Sequence, residues 1–445
     1  VVGAGGAGMA AAIRAADAGA KVVILERLAF PGGNTQLAQG QMNAADPVRQ
    51  TKQGIEDSWE LHAKQTLAAG DFRGDPERVA TLCKNAYGAV TWLESLGMEF
   101  EPKVFQMFGG LYPRAHQPVE PKGRGYVQVL MKAINERKIP ILRNVRVTDI
   151  IRDTPTSGDV RGVCCQTKDG EKYYRARRGV VLAAGGFSAN AYLRELHDPR
   201  IKGLGTDNLP NPTAGEVMMA AVRVGGYLVG MDFIQLLPGG ATTGRFIGMV
   251  SPVESVIFVN KNGDRFVAED QRRDVVADAI LSAPTKVVFG IRDQDGYDAM
   301  KAGAKKAFDG VYKIGDAVKA DSLDELAAKL QIPAENLKRA VAEYNKAVET
   351  KKDPFGRKPE VLVQKIEKAP FYSGRLTMAV HHTMGGLAIN PKAQVMDRYG
   401  KPIPGLFAAG EVTGGVHGTN RVGGNAVAEI FTIGRMAGEN AAKGI

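Results

Sequence analysis

Apolar residues along this chain follow two rhythms, and the change between them outlines the fold. Val1-Val2 runs into a glycine-rich turn. An alanine-rich stretch of helical spacing then reaches about Ala18, Gly19 stops it, and residues 21–26 form an apolar run closed by Glu26. That order predicts a β-α-β unit. Residues 179–186 and 405–411 are further apolar runs that break at glycines, the pattern of buried parallel strands whose ends approach a ligand. Three such strands, hundreds of residues apart, predict one α/β domain that returns to itself around an insertion. Between about 232 and 375 the texture differs. Residues 256–267 read as a hairpin turning at Asn262-Gly263. Ser322 and Glu325 form a capping box ahead of Leu323, Leu326, Ala327 and Leu330, and Pro333 opens a second helix with Leu337, Val341 and Tyr344 on one face. The expected organisation is an α/β, Rossmann-like domain made of residues 1–231 and 376–445, interrupted by an inserted α+β module at 232–375. A length of 445 residues fits this, because one core stops growing at roughly 250 to 300.

The first turn carries the most chemistry. Gly3, Gly5 and Gly8 form G-x-G-x-x-G between strand and helix. The first permits a tight turn, the second lets backbone approach a pyrophosphate, and the third lets the helix pack on the sheet. Glu26, closing the second strand, would accept hydrogen bonds from a ribose. In this context the motif predicts dinucleotide binding. Composition removes other readings. No run of about 18 apolar residues predicts a membrane-spanning helix. The net charge of +10 suits an anionic substrate or an acidic electron-transfer partner, but it is scattered and does not form the basic, aromatic-laced stripe of a nucleic-acid binder. Cys83, Cys164 and Cys165 make neither C-x-x-C nor C-x-x-C-H, so haem attachment, a zinc ribbon and an iron–sulfur cluster are not encoded, and buried free thiols are expected. No G-x-S-x-G, H-E-x-x-H or P-loop motif occurs. His381-His382 diverge on an extended segment and lack a third ligand, so no metal is expected. The chain opens inside a strand, which leaves preceding residues, a signal segment, and a periplasmic or cytoplasmic location all open.

The carboxyl-terminal quarter holds His381-His382-Thr383-Met384-Gly385-Gly386 and Glu411-Val412-Thr413-Gly414-Gly415-Val416-His417-Gly418-Thr419-Asn420-Arg421-Val422-Gly423-Gly424-Asn425-Ala426. With Pro31-Gly32-Gly33-Asn34-Thr35, these motifs closely resemble the soluble fumarate reductase and flavocytochrome c flavoprotein family, in order and over essentially the whole chain. The resemblance implies a glutathione-reductase-type FAD-binding domain, a mobile capping domain, and extended FAD. On that pattern Gly3, Gly5, Gly6, Ala7, Gly8 and Glu26 hold the adenosine diphosphate half. Gly33, Asn34, Thr35, Gly40, Met42, Asn43, Val147, Ala184, Gly185, Gly186, His382 and Gly410 follow the cofactor, and Glu411, Asn425, Ala426 and Val427 lie along the ribityl chain and pyrimidine edge. The helix beginning near Gly424 would aim its amino terminus at the flavin O2 and stabilise negative charge on the reduced ring. Membrane-bound relatives attach FAD through a histidine near the second glycine-rich segment; residues 31–43 contain none, so non-covalent FAD is expected.

The family reaction reduces a carbon–carbon double bond conjugated to a carboxylate, with hydride from flavin N5 and a proton from the protein. By motif match His381 and Arg421 clamp the carboxylate, with Thr383 beside them, and Arg273 is the proton donor. From the residues alone, Arg272 and Arg273 would read as a solvated charge pair. The sequence departs from the fumarate-specific pattern in two places. Leu237 stands where a histidine binds the second carboxylate, and Met249 and Pro252 stand where a Glu and an Arg form the proton relay. Glu254 and Glu269 are the acids left nearby as substitutes. The apolar replacements favour a monocarboxylate, such as an aryl acrylate, over fumarate, and Phe108 or Tyr112 would stack on its tail. Fumarate reduction, the reverse dehydrogenation of saturated acids or ketones, and electron transfer without enoate catalysis are the alternatives. Electrons would come from a haem or FMN domain or subunit outside this segment.

Overall fold

Five chain segments run side by side in parallel through the first part of the computed structural model, which describes residues 1–107, 109–119, 122–209, 214–240 and 249–445. Their order is Pro402–Ala408, Val180–Leu182, a single bridge at Val2, Ile24–Leu25 and Ile141–Leu142. Val2 touches Leu182 on one side and Leu25 on the other, which places the glycine-rich turn at the centre of the sheet. Val180, Val181 and Leu182 are all buried, as are Leu406, Phe407 and Ala408, so both faces of the sheet are covered and the runs are apolar throughout. Gln394–Met396 adds an antiparallel edge.

Helix Gly6–Asp17 follows the first turn and ends where predicted, at Ala18 and Gly19. The last helix, Asn425–Lys443, packs against it through glycine. A Cβ at Gly438 would lie 1.9 Å from the Ala11 carbonyl oxygen, and one at Gly434 would lie 2.7 Å from that of Ala7. A meander of Arg146–Arg152, Val160–Thr167 and Gly170–Arg175 lies in the same unit and carries Cys164 and Cys165 as buried free thiols. This unit comprises Val1–Pro199, Asn208–Gln235 and His382–Ile445.

The second unit comprises Arg200–Asp207 and Leu236–His381. It is built on a sheet in the order Ile234–Gly240, Phe371–Thr383, Val288–Arg292, Ile257–Val259, the last three antiparallel to one another in turn, with Ala317–Ala320 also paired antiparallel to Phe371–Thr383. Leu326, Leu330, Leu337, Val341 and Tyr344 from helices Leu323–Leu330 and Ala334–Thr350 bury its apolar face together with Ile257, Phe289 and Ile291. The capping box forms, Ser322 Oγ accepting from the Glu325 amide at 3.1 Å, while the Glu325 carboxylate reaches back one residue further, to the Asp321 amide at 2.8 Å.

The hairpin at 256–267 is only half made. Its turn is present, with Gly263 at φ 81° and the Asn260 amide bonded to the Asp264 carbonyl. Past the single bridge Val259–Arg265 the second arm leaves the sheet, and Ile257–Val259 pairs with Val288–Arg292 instead. The cause is charge. Arg265 turns inward to Glu269 at 2.9 Å and Asp353 at 2.6 Å, Arg357 reaches Glu269 at 3.1 Å, and all four side chains are buried. Tyr344 lies under both guanidinium groups. Glu269 also accepts from the Phe258 amide, which ties this loop to the strand Ile257–Val259.

Candidate active site

Backbone geometry fixes the glycine-rich turn. Gly3 sits at φ 99°, and a Cβ on it would approach the Ala183 carbonyl oxygen to 2.4 Å. A Cβ on Gly8 would lie 2.0 Å from the Gly3 oxygen, so both must be glycine for helix and sheet to meet. At Gly5 the reverse holds. The nearest atom to a Cβ there is Thr35 Oγ1 at 3.9 Å, which leaves room against the backbone. Helix Gly6–Asp17 has no side-chain cap, and of its first amides Gly6 donates to Thr35 Oγ1 at 2.9 Å. With only the Gly6 amide taken up by a side chain, the helix amino terminus above an open glycine has the features of an anion site.

One cavity opens there, and thirteen of the residues expected to bind the cofactor line it: Gly3, Gly5, Gly6, Ala7, Glu26, Gly33, Asn34, Thr35, Val147, Ala184, Gly185, Gly410 and Glu411. Glu26 is tied to the amides of Ala4 at 2.7 Å and Leu28 at 2.8 Å, which aims its carboxylate along the strand ends. Burial raises its pKa, and those amide donors pull it back. Arg27, Arg146 and Glu216 also line the cavity and form a cluster, with Arg146 bidentate to Glu216 at 2.9 and 2.6 Å. Sequence reasoning missed these three, because nothing in their local pattern distinguishes them from surface charges.

The remaining expected residues are not among those that line this cavity. A Cβ on Gly186 would lie 1.9 Å from Thr383 Oγ1, so this strand end is held against the Thr383–Glu411 pair. Thr383 gives both its amide (2.9 Å) and its hydroxyl (3.0 Å) to Glu411 Oε1, and its hydroxyl accepts from the Phe187 amide. It is fully buried, and its hydroxyl is committed to anchoring Glu411. Burial raises the Glu411 pKa to about 7, against the pull of those hydrogen bonds and of the Arg421 charge. His382 Nδ1 lies 3.7 Å from the other Glu411 oxygen, and its ring meets His417 edge-on; His417 in turn pairs with Glu429 at 2.8 Å. Gly40, at φ 92°, packs on the Lys122 backbone and accepts from the Tyr126 hydroxyl. Met42 and Asn43 are buried on a short strand whose Asn43 side chain bonds Gly423 and Asn425. Gly424, at φ 88°, starts the last helix without a side-chain cap, and Ala426 and Val427 in its first turn are half-buried.

Of the expected substrate-handling groups, Arg421 is buried in a loop stitched down on both sides. Gln235 donates to its carbonyl at 3.1 Å, Asn420 donates to Ala69, and the Thr419 amide donates to Gly70. In the second unit, His381 Nδ1 lies 2.8 Å from Asp207 Oδ2. Asp207 was invisible in the sequence, being 174 residues away with no motif around it. Arg273 is half-buried and opens helix Arg273–Leu281, while its neighbour Arg272 is exposed and bidentate to Asp274. Leu237 is half-buried on Ile234–Gly240. Met249 is fully buried against Gly290 of Val288–Arg292, which would admit a Cβ only at 3.1 Å from the Met249 carbonyl. The Tyr112 hydroxyl donates to the Glu56 carbonyl, and its ring carries the Arg114 guanidinium at 5.0 Å. Phe108 lies outside the described residues. Among the described residues, no group of three His, Cys, Asp or Glu could hold a metal ion, and no helix is long and apolar enough to cross a membrane.

A parallel sheet, a glycine cradle and a closing acid beside an uncapped helix define a dinucleotide-binding flavoprotein of Rossmann-like α/β fold. The profile of the family described as FAD binding domain matches residues 1–427; the chain belongs to that family, in its fumarate reductase and flavocytochrome c branch, and its cofactor is FAD. It is 35% identical to the NADH:acrylate oxidoreductase of Vibrio harveyi over 99% of this chain and 50% of that protein. It is 38% identical to the urocanate reductase of Eggerthella lenta over 99% of this chain and 74% of that protein. The solved open conformation of a flavocytochrome c3 fumarate reductase superposes with a TM-score of 0.85 at 35% identity, covering 99% of this chain and 77% of that one. The chain thus spans half the length of the first relative and about three quarters of the other two.

Proposed function

We propose that this chain is the catalytic flavoprotein portion of a reductase of α,β-unsaturated carboxylates, with residues 232–375 as its substrate-clamping domain. Kinship with reductases of acrylate, urocanate and fumarate supports the reaction class. FAD, held non-covalently by the cradle described above, would supply hydride to one alkene carbon. The protein's residues bind the acid and deliver the proton. Arg421 offers a planar fork to the carboxylate. His381 adds one directed donor: with Nδ1 engaged by Asp207, a ring protonated on both nitrogens donates through Nε2. Both stabilise charge that develops next to the carboxylate as the double bond is reduced. Arg273, at the head of its helix, gives the proton. A guanidinium is a weak acid, with a solution pKa above about 12, so it must be aimed at the carbon and promptly reprotonated.

The preference for a monocarboxylate with an apolar tail rests on two departures from the fumarate-specific motif. By the motif resemblance, Leu237 and Met249, the latter fully buried, stand where fumarate-specific members carry the second-carboxylate clamp and the relay acid. A second carboxylate facing leucine would lose a partner, about 1 to 3 kcal/mol for an unsatisfied polar group and more for a charge. Anaerobic reoxidation of the dye-reduced protein by fumarate, acrylate, cinnamate and urocanate tests this. A monocarboxylate is expected to exceed fumarate in kcat/KM, and Leu237→His is expected to narrow the gap by at least tenfold. Fumarate as the best substrate would overturn the preference and leave the reaction class standing. No reoxidation by any of the four would overturn both.

A further inference from the structure

Beneath the start of the last helix lies a buried polar knot that ties two of the expected cofactor residues, Asn43 and Asn425, to His62 and Thr66, which no motif singles out. Its members are His62 and Thr66 on helix Trp59–Ala69, Asn43, and Asn425, the first residue of Asn425–Lys443. All four are at most 3% exposed. Asn425 Oδ1 takes two contacts, from Asn43 Nδ2 at 2.9 Å and from His62 Nε2 at 2.9 Å. Asn425 Nδ2 donates to Thr66 Oγ1 at 2.9 Å. Asn43 Nδ2 also donates to the Gly423 carbonyl at 2.7 Å, and the Asn43 amide to the Gly424 carbonyl at 3.3 Å.

The bonding admits one assignment of protons. Asn43 presents its NH2 to Asn425, so Asn425 must present oxygen, and an oxygen can only accept. His62 therefore carries its proton on Nε2. Its Nδ1 is buried without a partner, so the ring is neutral. The charged groups around it are the buried Arg114 and Asp57, which neutralise each other in a bidentate pair at 2.9 and 2.7 Å; the nearby Cys83 thiol, set against Thr66, is kept neutral by burial. Burial, with Arg114 adding to it, lowers the His62 pKa to about 4.

The knot grips the turn that points the helix. Gly424 lies in the left-handed region, and a Cβ there would be 2.4 Å from Asn43 Oδ1. One residue on, the helix begins without a side-chain cap. Its dipole acts mainly through the first turn, so a small change in entry direction alters the field ahead of it.

We infer that His62 is a positioning residue for the cofactor's redox poise: as a neutral donor to Asn425 it fixes the Gly424–Asn425 turn, and with it the aim of the last helix at bound FAD. This rests on the reading that the amino terminus of that helix faces the flavin. Midpoint potential and FAD affinity of the full chain test it, in the wild type, His62→Leu and His62→Gln. Leucine removes the donor and is expected to weaken binding of reduced relative to oxidised FAD about tenfold, a fall of about 30 mV for a two-electron couple. Glutamine can donate to Asn425 and is expected to recover the potential to within threefold on the same scale. A leucine variant that holds FAD at the wild-type potential overturns the inference alone. Wild-type protein that does not bind FAD overturns both the inference and the reading beneath it. If the leucine variant does not fold, Thr66→Val, which removes the acceptor for Asn425 Nδ2, is expected to lower the potential likewise, and an unchanged potential there overturns the inference.

Discussion

Arg272 and Arg273 are adjacent and identical in kind, yet the fold separates them. Arg272 lies outside the helix that follows and is held by Asp274, whereas Arg273 is its first residue and half-buried. Composition alone gives two solvated charges, and only the motif around them singles out the second. Replacing Arg273 by Gln or Lys is expected to abolish turnover with FAD still bound; retention of more than a tenth of the activity would remove it as the acid. His381 was singled out by its motif in the same way, but nothing pointed to its partner Asp207, since that pairing depends on residues 200–207 joining the second unit. Glu411 carries a pH signature. Folded, it keeps its proton to about pH 7, while an unfolded glutamate loses it near 4.5. Between those values the unfolded chain binds fewer protons, so stability falls as pH rises. Urea unfolding of FAD-free protein should lose up to about 3 kcal/mol from pH 4.5 to 7 on this account. Glu411→Gln should flatten that slope, and an unchanged slope would place its origin elsewhere.

Secondary elements were read well where one local rule governed them and poorly where a distant partner did. The helix Gly6–Asp17 and the pair Leu323–Leu330 and Ala334–Thr350 followed from caps and spacing. The hairpin arm after Gly263 failed because burying Arg265 and Glu269 with Asp353 and Arg357 outweighed strand pairing, and no window of a dozen residues contains those partners. The contact between the first and last helices was hidden too, since Gly434 and Gly438 have no local reason to be glycine. Their reason is the Ala7 and Ala11 backbone. Gly438→Ala must push the two helices apart, and a loss of about 1 to 3 kcal/mol is expected from such overpacking. Gly303, also helical, has nothing within 4 Å of a built Cβ, so Gly303→Ala should be neutral or stabilise by up to about 1 kcal/mol. Thermal denaturation of the two variants side by side checks this, and equal shifts would refute the packing argument.

At the scale of the whole molecule, each unit owns its apolar core. The first has two clusters, one around Leu182 and Phe407 and one around Leu82 and Phe431; the second is built on Ile257, Phe289, Leu337 and Tyr344. The FAD cradle lies entirely in the first unit. A ligand stabilises the parts that must be folded to bind it, by about 4 kcal/mol when free FAD is a thousandfold above Kd. Parts that can open without disturbing the cradle gain nothing from it. Hydrogen exchange with and without saturating FAD should therefore slow the core amides of Gly6–Asp17, Val180–Leu182 and Asn425–Lys443, while those of Leu323–Leu330 and Ala334–Thr350 keep their rates. Equal protection throughout would mean that the two cores open only together, so that the insertion is part of one cooperative structure with the FAD-binding unit. Protection confined to the second unit would contradict the placement of the cofactor.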